Sequence, residues 1–356
     1  MIGLSDTLAQ AGVATQWLPL ADGSGLLLLP EYGRVLGLYP PQSEQNFLWT
    51  HPDLRSVGGA RQLFTASGWC NPGGDRTWLA PDREFFIRDV QRPMDTYRVP
   101  SALDPGAWQV IASEGGGQRS VTLASTMTLE RLQAHDTVHL QLRKRISAAA
   151  SPLRDFPWAD AGMQYTGYTL TTTLSVAPPP GNAPVMEVGL WQLLQLPAPG
   201  IMLISTHGRG HARTVFGSVA RQDLRMNEHL VRWHMGEGGD DAKISLKAAP
   251  LTGRAAHLFA RDGDKVQDLV IRCFSVNPSG NYVDTPWLVP DDRGYAFQAC
   301  RVRSGTAYFN ELEYHAAAEA DDVGGGEHRD VSQVWAFRGS RSVIATVACV
   351  LLGVSL

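Results

Sequence analysis

Residues 166–176 read TGYTLTTTLSV, and this stretch decides the fold class. Tyr168, Leu170, Thr172, Leu174 and Val176 take every second position, the period of two that marks an antiparallel strand with one covered face. Residues 137–142 repeat the pattern, with Val138, Leu140 and Leu142 on one side. Working outward from these two, strand-like runs occupy residues 26–29, 108–112, 120–124, 127–132, 243–247, 266–274 and 308–313. Breaker residues punctuate them at 114–117, 178–181, 236–239 and 262–264. Strands at such intervals, with no long helical pattern between them, predict an all-β sandwich or barrel. No repeat of fixed period is present, which weighs against propellers and solenoids. The longest breaker cluster, residues 177–184, is short and gives way at once to another strand-like run, so residues 1–356 read as a single domain.

Composition agrees. Apolar residues make up 44% and charged residues 19%, and 36 glycines with 22 prolines supply many turns. A net charge of -4 offers no basic stripe for phosphates, so nucleic acid is not the expected partner and neutral ligands are favoured. Cys70, Cys273, Cys300 and Cys349 are far apart, with neither zinc-knuckle nor disulfide-module spacing, and read as buried thiols. The N-terminal MIGLSDTLAQAG lacks a basic region and an apolar run and reads as a short helix, which makes the cytoplasm the expected compartment. Residues 342–356 are very apolar but shorter than the roughly 20 residues that span a bilayer, so a core-packing helix or strand is expected and no membrane partner.

Four segments carry candidate chemistry. Residues 68–86, GWCNPGGDRTWLAPDREFF, crowd Trp69, Asn71, Asp75, Arg76, Trp78 and Asp82 around a Pro-Gly-Gly turn. Indole faces stack on the C–H faces of a pyranose and polar groups grip its hydroxyls, so this is what a sugar site needs; a turn with core Trp and a local Asp75–Arg76 pair would use the same residues. In residues 308–315, YFNELEYH, strand alternation puts Glu311 and Glu313 on one face and Asn310, Leu312 and Tyr314 on the other. Neighbouring carboxylates raise one another's pKa and prepare an acid or base; alternatively one pairs with an arginine such as Arg76 or Arg301. His207 and His211 lie four apart, but Gly208 and Gly210 disfavour a helix and no carboxylate ligand follows, so a loop at a strand end is expected and no metal. His207 remains a sugar-contacting, acid/base or merely exposed histidine. Residues 277–287, NPSGNYVDTPW, form a polar and aromatic loop ending in Trp287 that either lines a cleft or simply packs. Walker, Rossmann, nucleophile-elbow and kinase motifs are missing, and no cofactor is expected.

Taken together, GGDRTWLAP at 73–81, WQLLQ at 191–195 and ELEYH at 311–315 ahead of Gly326 and Glu327 resemble the uncharacterised bacterial families with a galactose-mutarotase-like β-supersandwich. LLPEYGR at 28–34 and NFLW at 46–49 fit the same pattern. The resemblance implies a large antiparallel β-sandwich with short peripheral helices and a site for a small-molecule sugar or oligosaccharide. In aldose mutarotases a late-strand glutamate before a Pro-Gly-Glu turn and a last aromatic strand is the general base. Leu312-Glu313, then Gly325 to Glu327 and Val334 to Phe337, are similar, which implies Glu313 as base. The early-turn arginine that holds hydroxyls is similar to Arg76. The family's mid-chain histidine has no counterpart in GLWQLL at 189–194, which leaves His207 or His315 as the acid. Trp69, Trp78, Trp191 and Trp287 are then platforms, and Asn71, Asp75 and Glu311 hydroxyl contacts. Two classes of function follow: acid/base chemistry on a sugar, as isomerase, hydrolase or lyase, or non-catalytic carbohydrate binding.

Overall fold

The structure, a computed structural model, describes residues 3–20, 23–115, 119–156, 162–178, 187–261, 265–303, 305, 307–318 and 326–355. The expected breakers at 116–117, 179–184, 262–264 and Gly325 lie outside the described residues. The first elements are α1 (Leu4–Ala11), β1 (Gln16–Pro19), β2 (Gly25–Leu29), β3 (Arg34–Tyr39), α2 (Val57–Thr65), β4 (Asp75–Ala80), α3 (Asp82–Phe85) and α4 (Pro93–Thr96). Next come β5 (Gln109–Glu114), β6 (Ser120–Arg131), β7 (Asp136–Ala148), β8 (Gln164–Val176), β9 (Gly189–Pro197), β10 (Gly200–Thr206), β11 (Ala212–Phe216) and β12 (Leu224–Met226). The rest are β13 (Leu230–Met235), β14 (Ala242–Lys247), β15 (Leu251–Arg261), β16 (Val266–Phe274), β17 (Tyr295–Val302), β18 (Phe309–His315), β19 (Gly326–Ser340) and α5 (Arg341–Leu352).

Among the described residues the strands form two antiparallel sheets. One has nine strands in the order β1-β2-β3-β4-β9-β18-β17-β14-β11; the other has ten, β12-β13-β10-β15-β16-β19-β8-β7-β6-β5. The expected all-β sandwich with short helices is thus what the chain forms. Alternation directs each strand's apolar set inward. Val138, Leu140 and Leu142 of β7 and Tyr168, Leu170 and Leu174 of β8 meet Leu194 of β9, Leu312 of β18 and Phe297 of β17 in one core. Residues 120–124 and 127–132, read as two runs, are the continuous β6, because Ser125 and Thr126 hold the ladder opposite Leu142 and Gln141. Strands β9 and β18 are buried on both faces, which is why β9 shows no alternation in sequence.

Polar groups also bridge the sheets. Arg272 on β16 donates to Asp75 Oδ2 on β4 at 2.7 Å, Tyr168 on β8 donates to the same oxygen, and Arg272 reaches Ser332 on β19. Beside them Thr77 donates to Gln192, Gln192 to Thr172, and Tyr314 to Asp330. Helix α5 starts at the Ser340 cap and lays Ile344, Val347, Ala348 and Leu351 on the far face of the ten-stranded sheet, against Leu203, Leu269, Ile271 and Phe337. It is the core-packing terminal element expected, and no helix among the described residues is long and apolar enough to cross a membrane. All four cysteines are free thiols. One expectation is corrected: Cys349 is exposed, because it sits on the side of α5 turned from the sheet, while Cys300 is buried and Cys70 and Cys273 are half-buried.

Candidate functional site

The outer face of the nine-stranded sheet holds the site, and strand register assembles it. Opposite Arg76 on β4 stands Leu193 on β9, then Glu313 on β18, Gln298 on β17 and Ser245 on β14. The row two residues away runs Gln195, Glu311, Cys300, Lys243, and on the other side Trp78, Trp191, His315. The turn into β4 requires glycine. Gly74 has φ +83°, and a Cβ there would meet the Val35 carbonyl oxygen at 2.3 Å. A cleft of about 510 Å³ opens over these rows, lined by Trp69, Arg76, Asp82, Trp287, Lys243 and Glu311 among others. That volume is in the range of small-molecule sites.

The two glutamates lie at different depths. Glu311 lines the cleft; Arg76 and Gln195 both donate to its Oε1, at 2.9 and 3.0 Å, and among the described residues no donor reaches Oε2. Glu313 is fully buried beside it. Its Oε2 accepts from Lys243 Nζ at 2.9 Å and Trp191 Nε1 at 2.8 Å, and its Oε1 has no partner. Burial pushes the Glu313 carboxyl up to about 7, against the pull of Lys243 and with the help of Glu311. Burial would lower Lys243, but the Glu313 charge outweighs it and holds the ammonium protonated.

Across the cleft stands a third carboxyl. Asp82, at the start of α3, is pushed well above the usual carboxylate range by burial and by Asp284, against the pull of its Trp287 hydrogen bond. Trp287 Nε1 donates to its Oδ2 at 2.7 Å, while Oδ1 has no partner. Asp284 takes the Asp82 backbone N–H at 3.0 Å and the Gln298 amide at 2.8 Å. Behind it His315 is buried, stacked on Trp191 with ring centroids 5.6 Å apart, and burial pulls it down to about 4, so the imidazole is neutral.

The indoles are fixed from beneath. Asp104 Oδ2 accepts from Trp69 Nε1 and Trp78 Nε1, both at 3.0 Å, and from Arg34. Arg76 lies 4.1 Å from the Trp78 ring centre and Lys243 lies 4.5 Å from that of Trp191. Cys300, Glu311 and Glu313 offer ligand atoms within 4.8 Å of one another, yet Arg76 and Lys243 already neutralise both carboxylates, so a cation fits poorly there.

The structure therefore brings Trp69, Asn71, Arg76, Trp78, Trp191, Trp287 and Glu311 to one cleft, with Glu313 and His315 packed behind its wall. It separates two others. Asp75, expected among the sugar contacts, points between the sheets because it alternates with Arg76, and it is held there by Arg272 and Tyr168. His207 follows β10 on the other sheet, exposed and outside the cleft lining. Lys243, Asp104, Asp284 and Phe216 were not found from sequence. Lys243 had a signal, since it opens a strand-like run; Asp104 had none, its partners Arg34, Trp69 and Trp78 lying 70, 35 and 26 residues away.

No protein-family model matches the chain, and no curated protein matches it in sequence. In fold it is similar to a Synechocystis sp. PCC 6803 protein, at 11% identity and a TM-score of 0.52, over 92% of this chain and 96% of that one. A galactose mutarotase-like protein from Clostridium acetobutylicum matches at 10% identity and a TM-score of 0.44, over 91% and 98% of the two chains. The α-galactosidase of Lactobacillus brevis matches at 13% identity and 0.36, with 95% of this chain laid on 42% of that enzyme. The Synechocystis protein, matched over nearly the whole of both chains, shows that the two-sheet sandwich has a solved counterpart.

Proposed function

We propose that the cleft binds an aldose and interconverts its anomers by general acid/base catalysis. One observation carries the reading: an ion-paired carboxylate with a free oxygen, Glu311, and a buried carboxyl with its own unpartnered oxygen and a raised pKa, Asp82, line the same indole-walled cleft. Glu311 Oε2 takes the proton of the anomeric hydroxyl. The C1–O5 bond breaks, C1 becomes an aldehyde, and Asp82 gives its proton to the ring oxygen. Rotation about C1–C2 and reclosure by the reverse transfers yield the other anomer with both groups restored. Arg76 and Lys243 donate to hydroxyls. Glu313, the residue implied by the resemblance, serves as the anchor that holds Lys243 in the cleft wall.

The test is anomer exchange followed by NMR across a panel of aldoses. Glu311→Gln and Asp82→Asn should each lower kcat by about 10²-fold or more, and Glu313→Gln by less than either. If Glu313→Gln is the most damaging, the base is Glu313. Non-catalytic binding is the second reading, favoured by the fact that both glutamates are already matched by a cation. It prevails if the wild-type protein binds a sugar without accelerating exchange.

A further inference from the structure

The two central indoles of the cleft are already engaged. Arg76 covers Trp78, which also packs on Phe86 at 4.9 Å, and Trp191 lies between Lys243 and His315 contacts. Open aromatic faces remain at the two ends. At the β4 end Trp69 is 39% exposed, held by Asp104 and flanked on one side by Arg76, 5.7 Å from its ring centre. At the β11 end Phe216 and Trp287 stack with ring centroids 5.9 Å apart and planes 11° apart, both half-buried and both lining the cleft.

From β4 to β11 the sheet order counts five steps, β4-β9-β18-β17-β14-β11. At about 4.8 Å per step that is roughly 24 Å along the sheet, with Trp287 reaching back across the cleft to Asp82, two residues past β4. Stacking needs ring centres within about 4.5–7 Å, so a pyranose laid beside Trp69 leaves the Phe216 ring on the edge strand β11 for a second ring. The acid/base groups lie between them: Glu311 is two steps from β4, and Lys243 and Asp82 face the β11 side.

We propose that the cleft binds two sugar rings at once, the reducing ring over Glu311 beside Trp69 and the second on the Phe216–Trp287 pair. Its ligand class is then a disaccharide or the reducing end of a longer glycan. This rests on the sugar reading above and adds the second ring to it.

Isothermal titration calorimetry with glucose and galactose against cellobiose, maltose and lactose tests the two claims separately. At least one disaccharide should bind about tenfold more tightly than the monosaccharide at its reducing end. Phe216→Ala should bring that ratio below about twofold, and Phe216→Leu, which keeps bulk on the edge strand but removes the flat face, should do the same. Trp69→Ala should weaken both members of a pair alike, with the far-UV spectrum of each variant checked against wild type. Equal affinity for mono- and disaccharide, or a ratio that survives both Phe216 variants, overturns the two-ring site while leaving the sugar reading intact. Binding of neither class overturns both.

Discussion

Glu313 and Lys144 are ionisable groups buried with opposite consequences for pH dependence. Burial, with Glu311, raises Glu313 to about 7, against roughly 4.3 in an unfolded chain. The folded protein therefore binds this proton more tightly, and the associated stability is full at low pH and lost as pH rises through about 7. Glu313→Gln should remove that slope, measured as a smaller difference in Tm between pH 5 and pH 8. Lys144, inside the sandwich, is pulled down to about 7 by burial, with Asp75 opposing and Arg34 and Arg272 adding. Here the unfolded chain holds the proton more tightly, so stability rises as pH climbs from about 7 towards 10.5. Lys144→Met should be more stable than wild type at pH 6 by about 1–4 kcal/mol in urea unfolding, despite losing the bond to the Gly33 carbonyl, and should lack the rise above pH 7. Neither burial was legible in the sequence. A lysine or glutamate on an alternating strand looks alike whether its face meets solvent, a second sheet or a cleft wall.

Strand β18 shows how much an element reveals before it is folded. Alternation alone put Glu311 and Glu313 on one face and Leu312 and Tyr314 on the other, and the structure has that division, with the second pair in the core between the sheets. What alternation did not give was depth. Glu311 faces the cleft and Glu313 lies beneath Lys243, because β14 brings its lysine two strands across, a contact no local pattern encodes. Strand β9 hid its two-sided burial behind a continuous apolar run. The turn into β4 was readable as breakers but not as a close approach. Gly74→Ala should cost more than about 2 kcal/mol in urea unfolding, since φ is +83° and the Val35 carbonyl stands where the methyl would go. Gly58→Ala, in the first turn of α2 with open space around it, should instead stabilise by about 0.5 kcal/mol.

For the whole molecule, the fold class was legible because sheet periodicity is a local property, whereas the order of the nineteen strands among the described residues in two sheets is not. The thiols offer a global probe of packing. Native protein should release one fast equivalent with a thiol reagent, from Cys349, and denatured protein four without reductant. The polar bridge between the sheets constrains the molecule differently. Its members come from β4, β9 and β18 on one side and β8, β16 and β19 on the other, so they meet only when the sheets are laid at one offset. Losing Asp75 alone strands the Arg272 charge, and losing Arg272 alone strands the carboxylate. Substitution there is harmful one residue at a time and tolerable only in concert, so over descent the set should be inherited whole or vanish whole, while the cleft face of the same strands drifts freely toward new ligands.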